Sequence, residues 1–454
     1  KNIKDSIIIF LNLFDIIDTM IPINQDDLIK LNEIYHYPDS SLHVIFGRSK
    51  SGKTTFLRDF IVKKNYIYFS SFSALEDIIF PSFVETINKK FKIQNSSTYY
   101  DKFEKILTLL DEQVIDEKIA IIFDSFEELL KIEKNSFELL LQFWEKSFSK
   151  KSIMLIVVSG ILPNSTIYKK VEKRAQSIIM MENFSFEFLK NRGNLTPTDK
   201  FYIYSIFGAS SYILSFYNTK NDFLKNIYQL SLNPASPFYD YGFTYLKKDL
   251  SDIGTFCGIL YAIAIGNSKM GDIANILKVK STYLSRYIEK LQEMMIIRKE
   301  LPLSKEQVFS KYGRYKINDN FLKFWFCYIY PNIANLNLKK HTPVLKELDD
   351  TIIKNILTPA YITFIRDRIY EEPLAYLGFI PNRIGAWWDN FGNTIDLIAY
   401  DNKQIVFILI VWENEDQANQ LQSRLVKMAS YFKTTLTRNY LILSKEHYLK
   451  SMGR

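Results

Sequence analysis

The segment Leu42–Ile61, LHVIFGRSKSGKTTFLRDFI, constrains this chain more than any other. Gly47, Gly52, Lys53 and Thr54 hold the fixed places of the pattern G-x-x-x-x-G-K-[ST]. An apolar run (Val44, Ile45, Phe46) feeds the loop, and a helical spacing (Phe56, Leu57, Phe60, Ile61) leaves it. A strand–loop–helix of this spacing turns successive backbone N–H groups and a helix N-terminus toward one polyphosphate. Gly47 and Gly52 permit backbone angles that a β-carbon resists. Between and after them, Arg48, Ser49, Lys50, Ser51 and Thr55 complete the cradle. Lys53 would reach the β and γ phosphates, and the Thr54 hydroxyl would ligate Mg²⁺. ATP or ADP with Mg²⁺ is therefore the cofactor expected here. An ordinary turn is the bland alternative, and the flanking strand and helix weigh against it.

The chain around the loop alternates strands with helices, which implies a parallel sheet with the ligand beyond the carboxyl ends of its strands. Tyr66–Phe69 reads as a second strand, and Ile119–Phe123 as a third ending in Asp124. A fourth, Ile153–Val158, ends in Ser159-Gly160. An acid at the tip of a buried strand can hold Mg²⁺, usually through water, so Asp124 is the expected metal partner of Thr54. The same position also suits a helix N-cap. Many ATPases place a glutamate directly after this Asp to polarise water. Ser125 stands there instead, which leaves Glu127 and Glu128 as candidate catalytic acids, with one of them expected to face the site. Binding is thus better supported than turnover. Ser159 is placed to sense a γ-phosphate or to serve as a plain strand-to-loop serine. The basic run Lys169, Lys170, Lys173, Arg174 is either a solvated helix face or a source of one phosphate contact, Arg174.

Composition narrows the setting. At 454 residues the chain has room for about three domains. Its net charge of +8 permits an acidic partner without requiring one. With Cys257 and Cys327 alone there is no disulfide framework, and the four histidines form no metal-ligand spacing. Asn12, Asp15 and Asp18 interrupt the apolar run near the start, against a signal peptide or spanning helix. The expectation is an intracellular, cytoplasmic protein with no membrane partner.

Four regions are expected: 1–182 a phosphate-loop core, 183–250 a helical lid, 251–332 a winged helix and 333–454 a small α/β domain. Residues 1–40 carry helical spacing (Ile7, Ile8, Leu11, Phe14, Ile17, then Leu28, Leu31, Ile34). In the third region, GDIANIL (271–277) followed by STYLSRYI (281–288) looks like helix-turn-helix. Met295–Arg298 and Arg314–Ile317 would be the strands of its wing. Thr282, Tyr283, Arg286 and Arg314 are then the residues available to DNA. From Ile276 to Lys316 ten basic residues stand against four acidic ones, a balance suited to phosphate contacts. Winged helices also serve as protein-docking modules. In the last region Thr394–Tyr400 and Ile405–Trp412, joined by a polar turn, precede an amphipathic helix from Ala418 to Phe432.

Taken together, GRSKSGKTT, the strand ending in Asp124, the strand ending in Ser159-Gly160, GRYKINDNFLKFWFCYIYPN (313–332) and IGAWWDNFGNTIDLIAYD (384–401) resemble the archaeal-type P-loop ATPases of the STAND/AAA-like class. The resemblance covers nearly the whole chain. It implies an α/β protein: a P-loop NTPase parallel sheet with helical lid, a winged helix-turn-helix, and a C-terminal domain resembling the restriction-endonuclease fold. A nuclease of that fold needs two carboxylates for Mg²⁺ and a lysine to steady hydroxide. Asp396 is present, but Leu409 and Val411 stand where Glu-x-Lys would, and Phe364-Ile365 where Phe-Glu would. The resemblance with these departures implies an ATP-binding switch, with weak or no hydrolysis and no nuclease activity. A nucleotide kept as a fold cofactor in an assembly protein is the alternative, and an ATP-dependent nuclease the least favoured. Partners implied are nucleotide, DNA through the winged helix, and a protein partner or second copy. Gly208-Ala-Ser210 departs from the family's base-contacting Gly-x-Pro.

Overall fold

A computed structural model describes residues 25–47, 51–71, 76–93, 102–114, 117–160, 171–181, 195–208, 211–214, 216–247, 252–303, 312–412 and 418–452, with Phe186, Leu189 and Leu250. The chain divides into two compact units, Lys1–Asn183 and Phe184–Arg454.

The first unit is built on a five-stranded sheet: β1 (Ser41–Gly47), β2 (Tyr66–Ser70), β3 (Ile119–Asp124), β4 (Ile153–Ser159) and β5 (Ser177–Met181). Its order is β2-β3-β4-β1-β5, and every pairing is parallel. β1, β3 and β4 are buried along their whole length, as strands covered on both faces must be. One face carries Val44, Phe46, Ile121 and Phe123 against helices Glu76–Phe91 and Phe103–Gln113. The other carries Ile45, Ile122 and Ile156 against the helix that leaves the phosphate loop, through Phe56, Leu57 and Phe60. The sequence reading assigned four of these strands. The fifth, SIIMM, is too short and too exposed at its edge to announce itself. Of the helix expected over residues 1–40, Gln25–Tyr35 is present and residues 1–24 lie outside the described residues.

Within this sheet His43 is fully buried, its Nδ1 2.7 Å from the Ser177 hydroxyl and its Nε2 without a hydrogen-bond partner. Burial, assisted by Lys118, pushes its imidazole down to about 4. Above pH 6.5 both folded and unfolded states hold it neutral. As pH falls from there toward 4, the unfolded chain takes a proton that the folded one refuses, and stability is lost by about 3 kcal/mol. Thermal unfolding at pH 7 and pH 4.5 should therefore show a smaller acid loss in His43→Val/Ser177→Ala than in the wild type. Equal losses would contradict the assignment.

The second unit opens with helices that share one core with the helix-turn-helix: a single hydrophobic cluster runs from Leu189 to Ile356. Helices Gly254–Ala264, Met270–Leu277 and Ser281–Glu293 precede an antiparallel pair, β6 (Ile297–Glu300) and β7 (Arg314–Ile317). This is the winged helix-turn-helix order. The first wing strand starts two residues later than expected, because Met295 adopts a left-handed backbone (φ 52°) that ends the preceding helix. A four-stranded sheet closes the chain, in the order β11-β10-β9-β8, from β8 (Arg383–Trp388), β9 (Thr394–Tyr400), β10 (Gln404–Ile410) and β11 (Thr437–Leu443). β8, β9 and β10 run antiparallel, and β11 returns parallel to β10 after helix Ala418–Ser430. Trp387 and Trp388 thus belong to a strand that the sequence reading left unassigned. Among the described residues no helix is long and apolar enough to cross a membrane.

Candidate functional site

Parallel register places the chemistry at one edge of the first unit's sheet. Phe46 lies beside Ser159, and Phe123 beside Val157, so Gly47, Asp124 and Ser159 reach the same carboxyl-terminal end. Helix Lys53–Phe60 begins directly after Gly52, whose left-handed backbone (φ 89°) turns the loop into the helix. A β-carbon on Gly47 would stand 2.6 Å from both the Met181 carbonyl oxygen and the Ser51 hydroxyl, so only glycine fits there. The Lys53 ammonium folds back and donates to the Gly47 carbonyl, spanning the loop where phosphates would sit. Ser51 is buried with no hydrogen-bond partner for its hydroxyl, while Thr54 is exposed at the helix start. An orphaned hydroxyl and a side-chain-free cradle at one helix N-terminus fit a phosphate group. Arg48, Ser49 and Lys50 lie outside the described residues. Thr55 lies on the first turn of the helix.

Asp124 is buried, and both its oxygens are engaged. Oδ1 accepts from the Ser125 backbone N–H at 2.7 Å, and Oδ2 accepts from the Tyr68 hydroxyl. Tyr68 stands on β2 two residues before Ser70, the residue opposite Asp124. Burial, then the bond to Asp124 and its charge, raise the phenol far above its usual range and keep it a donor. Sequence reasoning missed Tyr68, since nothing local says that β2 lies beside β3. A group that orients a metal-binding carboxylate matters nearly as much as the ligand. Tyr68→Phe is therefore expected to weaken the Mg²⁺-dependent part of ATP affinity by about tenfold. A Mg²⁺ titration of ATP binding that is unchanged in the variant would refute this.

Ser125 takes a left-handed backbone (φ 57°) and starts helix Phe126–Ile132. The two candidate acids on that helix diverge. Glu127 reaches across to β4, where its Oε2 accepts from the Gly160 N–H at 2.7 Å. Glu128 turns to Lys131, with N–O distances of 2.9 and 3.0 Å. Only Glu127 joins the strand tips, beside Ser159, which is buried at the end of β4. Arg174 requires a correction. It precedes β5, whose first residues pair with His43 at the amino-terminal end of the strands, and its guanidinium is ion-paired with Glu145. It therefore lies at the opposite edge of the sheet from the phosphate loop.

Residues 25–216 match a family described as an ATPase domain predominantly from Archaea, and residues 325–422 one described as archaeal and bacterial proteins of unknown function. The first match covers the phosphate-loop unit, so the chain carries an archaeal-type ATPase domain over residues 25–216. An uncharacterised protein of Methanocaldococcus jannaschii is 25% identical over 412 residues, covering 86% of this chain and 87% of that one. Among solved structures, a Walker-type ATPase of Pyrococcus abyssi is 19% identical with a TM-score of 0.50, covering 67% of this chain and 96% of its own. That likeness is one of fold. The Aeropyrum pernix ORC2 protein, solved in ADPNP–ADP complexes, is 14% identical with a TM-score of 0.44, covering 70% of this chain and 96% of that one. The match over residues 25–216 marks an ATPase-type nucleotide-binding protein.

In this ATPase the residues singled out for DNA separate into two groups. Thr282, Tyr283 and Arg286 are exposed on helix Ser281–Glu293. The Arg286 guanidinium lies 4.7 Å from the Tyr287 ring centre and donates to its hydroxyl at 2.8 Å, and the Tyr283 and Tyr287 hydroxyls are 3.0 Å apart. Arg314 is the second correction. It stacks on Trp388 at 4.4 Å, so it faces the C-terminal sheet and not a groove. The wing is held there further by Leu303 N–H to Ala386 O (2.8 Å) and Trp388 Nε1 to Tyr312 O (2.9 Å). Arg298 and Lys316 are bound to Glu300, so fewer of the ten basic residues point outward than the count suggests. In the last domain the half-buried Asp396 accepts from the Ile410 N–H at 3.0 Å, and Phe364 and Ile365 are core residues.

Proposed function

We propose that this ATPase binds Mg²⁺–ATP as a switch, turns it over weakly or not at all, and contacts DNA through helix Ser281–Glu293. The observation that carries the reading is the junction of Lys53 and Thr54 with Asp124 at the strand tips, combined with a Glu127 already committed to Gly160. Lys53 would bind the β and γ phosphates, Thr54 and Asp124 would hold the metal, and Ser159 would report the γ-phosphate. Mg²⁺, when bound, would offset phosphate charge. One oxygen of Glu127 already accepts from the Gly160 N–H, which lowers its basicity toward water. A single-turnover assay should find ATP retained far longer than it takes to bind. Turnover that Glu127→Gln abolishes would overturn the weak-hydrolysis part.

DNA contact is supported by the exposed Thr282, Tyr283 and Arg286 beside Lys278 and Lys280. Phosphate contacts release counterions, so Arg286→Ala should weaken duplex binding and lower the salt slope by about one. An unchanged slope would remove Arg286 from the interface. The C-terminal domain is proposed to lack nuclease activity, because apolar Leu409, Val411, Phe364 and Ile365 stand where metal and hydroxide would need carboxylates and a lysine.

A further inference from the structure

Asp396 lies close to an unusual set of charges. Glu300 on β6 accepts from Arg298 (3.2 Å), Lys316 on β7 (2.6 Å) and Arg366 of helix Thr358–Glu371 (3.4 Å). Lys323, on helix Asn320–Phe324, is half-buried within range of Lys316 and Arg298 and has no carboxylate within ion-pairing reach among the described residues. The Asp396 carboxylate is turned to the Ile410 N–H, and desolvation raises its carboxyl above the ordinary range. Three cations from three elements therefore share one largely shielded acid, Glu300, with Arg366 leaning also on Asp367 at 3.2 Å, and Lys323 adds a fourth positive charge within their field. Like charges at this spacing repel, and partial burial keeps water from screening them. Burial, reinforced by the neighbouring Lys316 and Arg298 charges and opposed by Cys327, lowers the Lys323 ammonium to about 8.

A divalent cation would be repelled from this place, and an anion would be drawn to it. Two guanidiniums and two ammoniums suit a tetrahedral, multiply charged oxyanion better than a planar carboxylate. We propose that Lys323, Lys316, Arg298 and Arg366 form a phosphate-binding site beside Asp396, taking either a free phosphate or a phosphodiester of a nucleic-acid backbone. The proposal does not depend on the nucleotide loop in the other unit.

The test uses the full chain carrying Lys53→Ala, so that the phosphate loop contributes nothing. Calorimetric titration with inorganic phosphate, and thermal unfolding in phosphate against chloride at equal ionic strength, are compared in three versions. The parent should bind phosphate and unfold at a higher temperature in it. Lys323→Met should raise the unfolding temperature in chloride, by removing an unpaired cation, and weaken phosphate binding about tenfold. Glu300→Gln should bind phosphate more tightly, since it removes the competing carboxylate. A short duplex displaced by phosphate in the parent but not in Lys323→Met would identify the source as a nucleic-acid backbone. Phosphate binding without such competition would identify a free phosphate. The proposal is overturned if phosphate gives no gain over chloride, or if Lys323→Met keeps the whole gain.

Discussion

Trp325→Ala is expected to destabilise the second unit by about 4 kcal/mol, the range for deleting a fully buried large aromatic. The indole is wholly buried, meets Phe243 edge to face at 5.0 Å, and donates through Nε1 to the Tyr239 carbonyl at 2.7 Å. Its removal leaves a cavity and strips that carbonyl of a donor, and a buried acceptor without a partner adds further loss. Gly242 supplies an independent check. A β-carbon there would overlap the Trp325 ring, so Gly242→Ala forces the ring out of place by addition where Trp325→Ala acts by deletion. Denaturant unfolding followed by hydrogen exchange in Gly254–Ala264 reads the effect. A loss below about 1 kcal/mol in Trp325→Ala, the size of a typical mild substitution, would show that the aromatic run is not the core of this unit.

Lys53→Ala is expected to reduce ATP affinity by about a hundredfold, since an ammonium shared among phosphate oxygens makes more than one charge-assisted bond. Lys53 bridges the loop to the Gly47 carbonyl, so its reach spans the cradle. Stability should change little, because the residue is not part of the buried core. Equilibrium ATP binding with and without Mg²⁺ measures it. Equal affinity in both proteins would move the nucleotide away from this loop.

These effects arise from parts of the chain that were legible to different degrees. The phosphate loop was readable because its constraint is local: glycine angles, a helix start and a lysine within one short segment. Asp124 was readable because a buried run ending in an acid has few explanations. The motif ending FLKFWFCYIYPN was visible as a pattern, and the structure gives its physical reason, since Phe321 through Ile329 are buried except for Lys323. Partners set by distant strands were not readable. Tyr68 meets Asp124 only because β2 lies beside β3. Arg314 meets Trp388 only because the wing lies on β8. Arg174 looked close to the phosphates because it follows β4 in sequence, yet the chain had returned to the other end of the sheet before reaching it. Arg298 and Lys316 were counted toward a DNA surface, yet both are paired with Glu300.

A nucleotide cradle stands beside an acid that already accepts from the Gly160 N–H. The most direct measurement follows bound ATP in a single sample, recording affinity with Mg²⁺ and the rate at which ADP appears, for the wild type beside Lys53→Ala. The expected result is Mg²⁺-dependent binding that Lys53→Ala weakens about a hundredfold, with ADP forming slowly or not at all. No nucleotide binding by the wild type, or rapid turnover lost in Glu127→Gln, would contradict it.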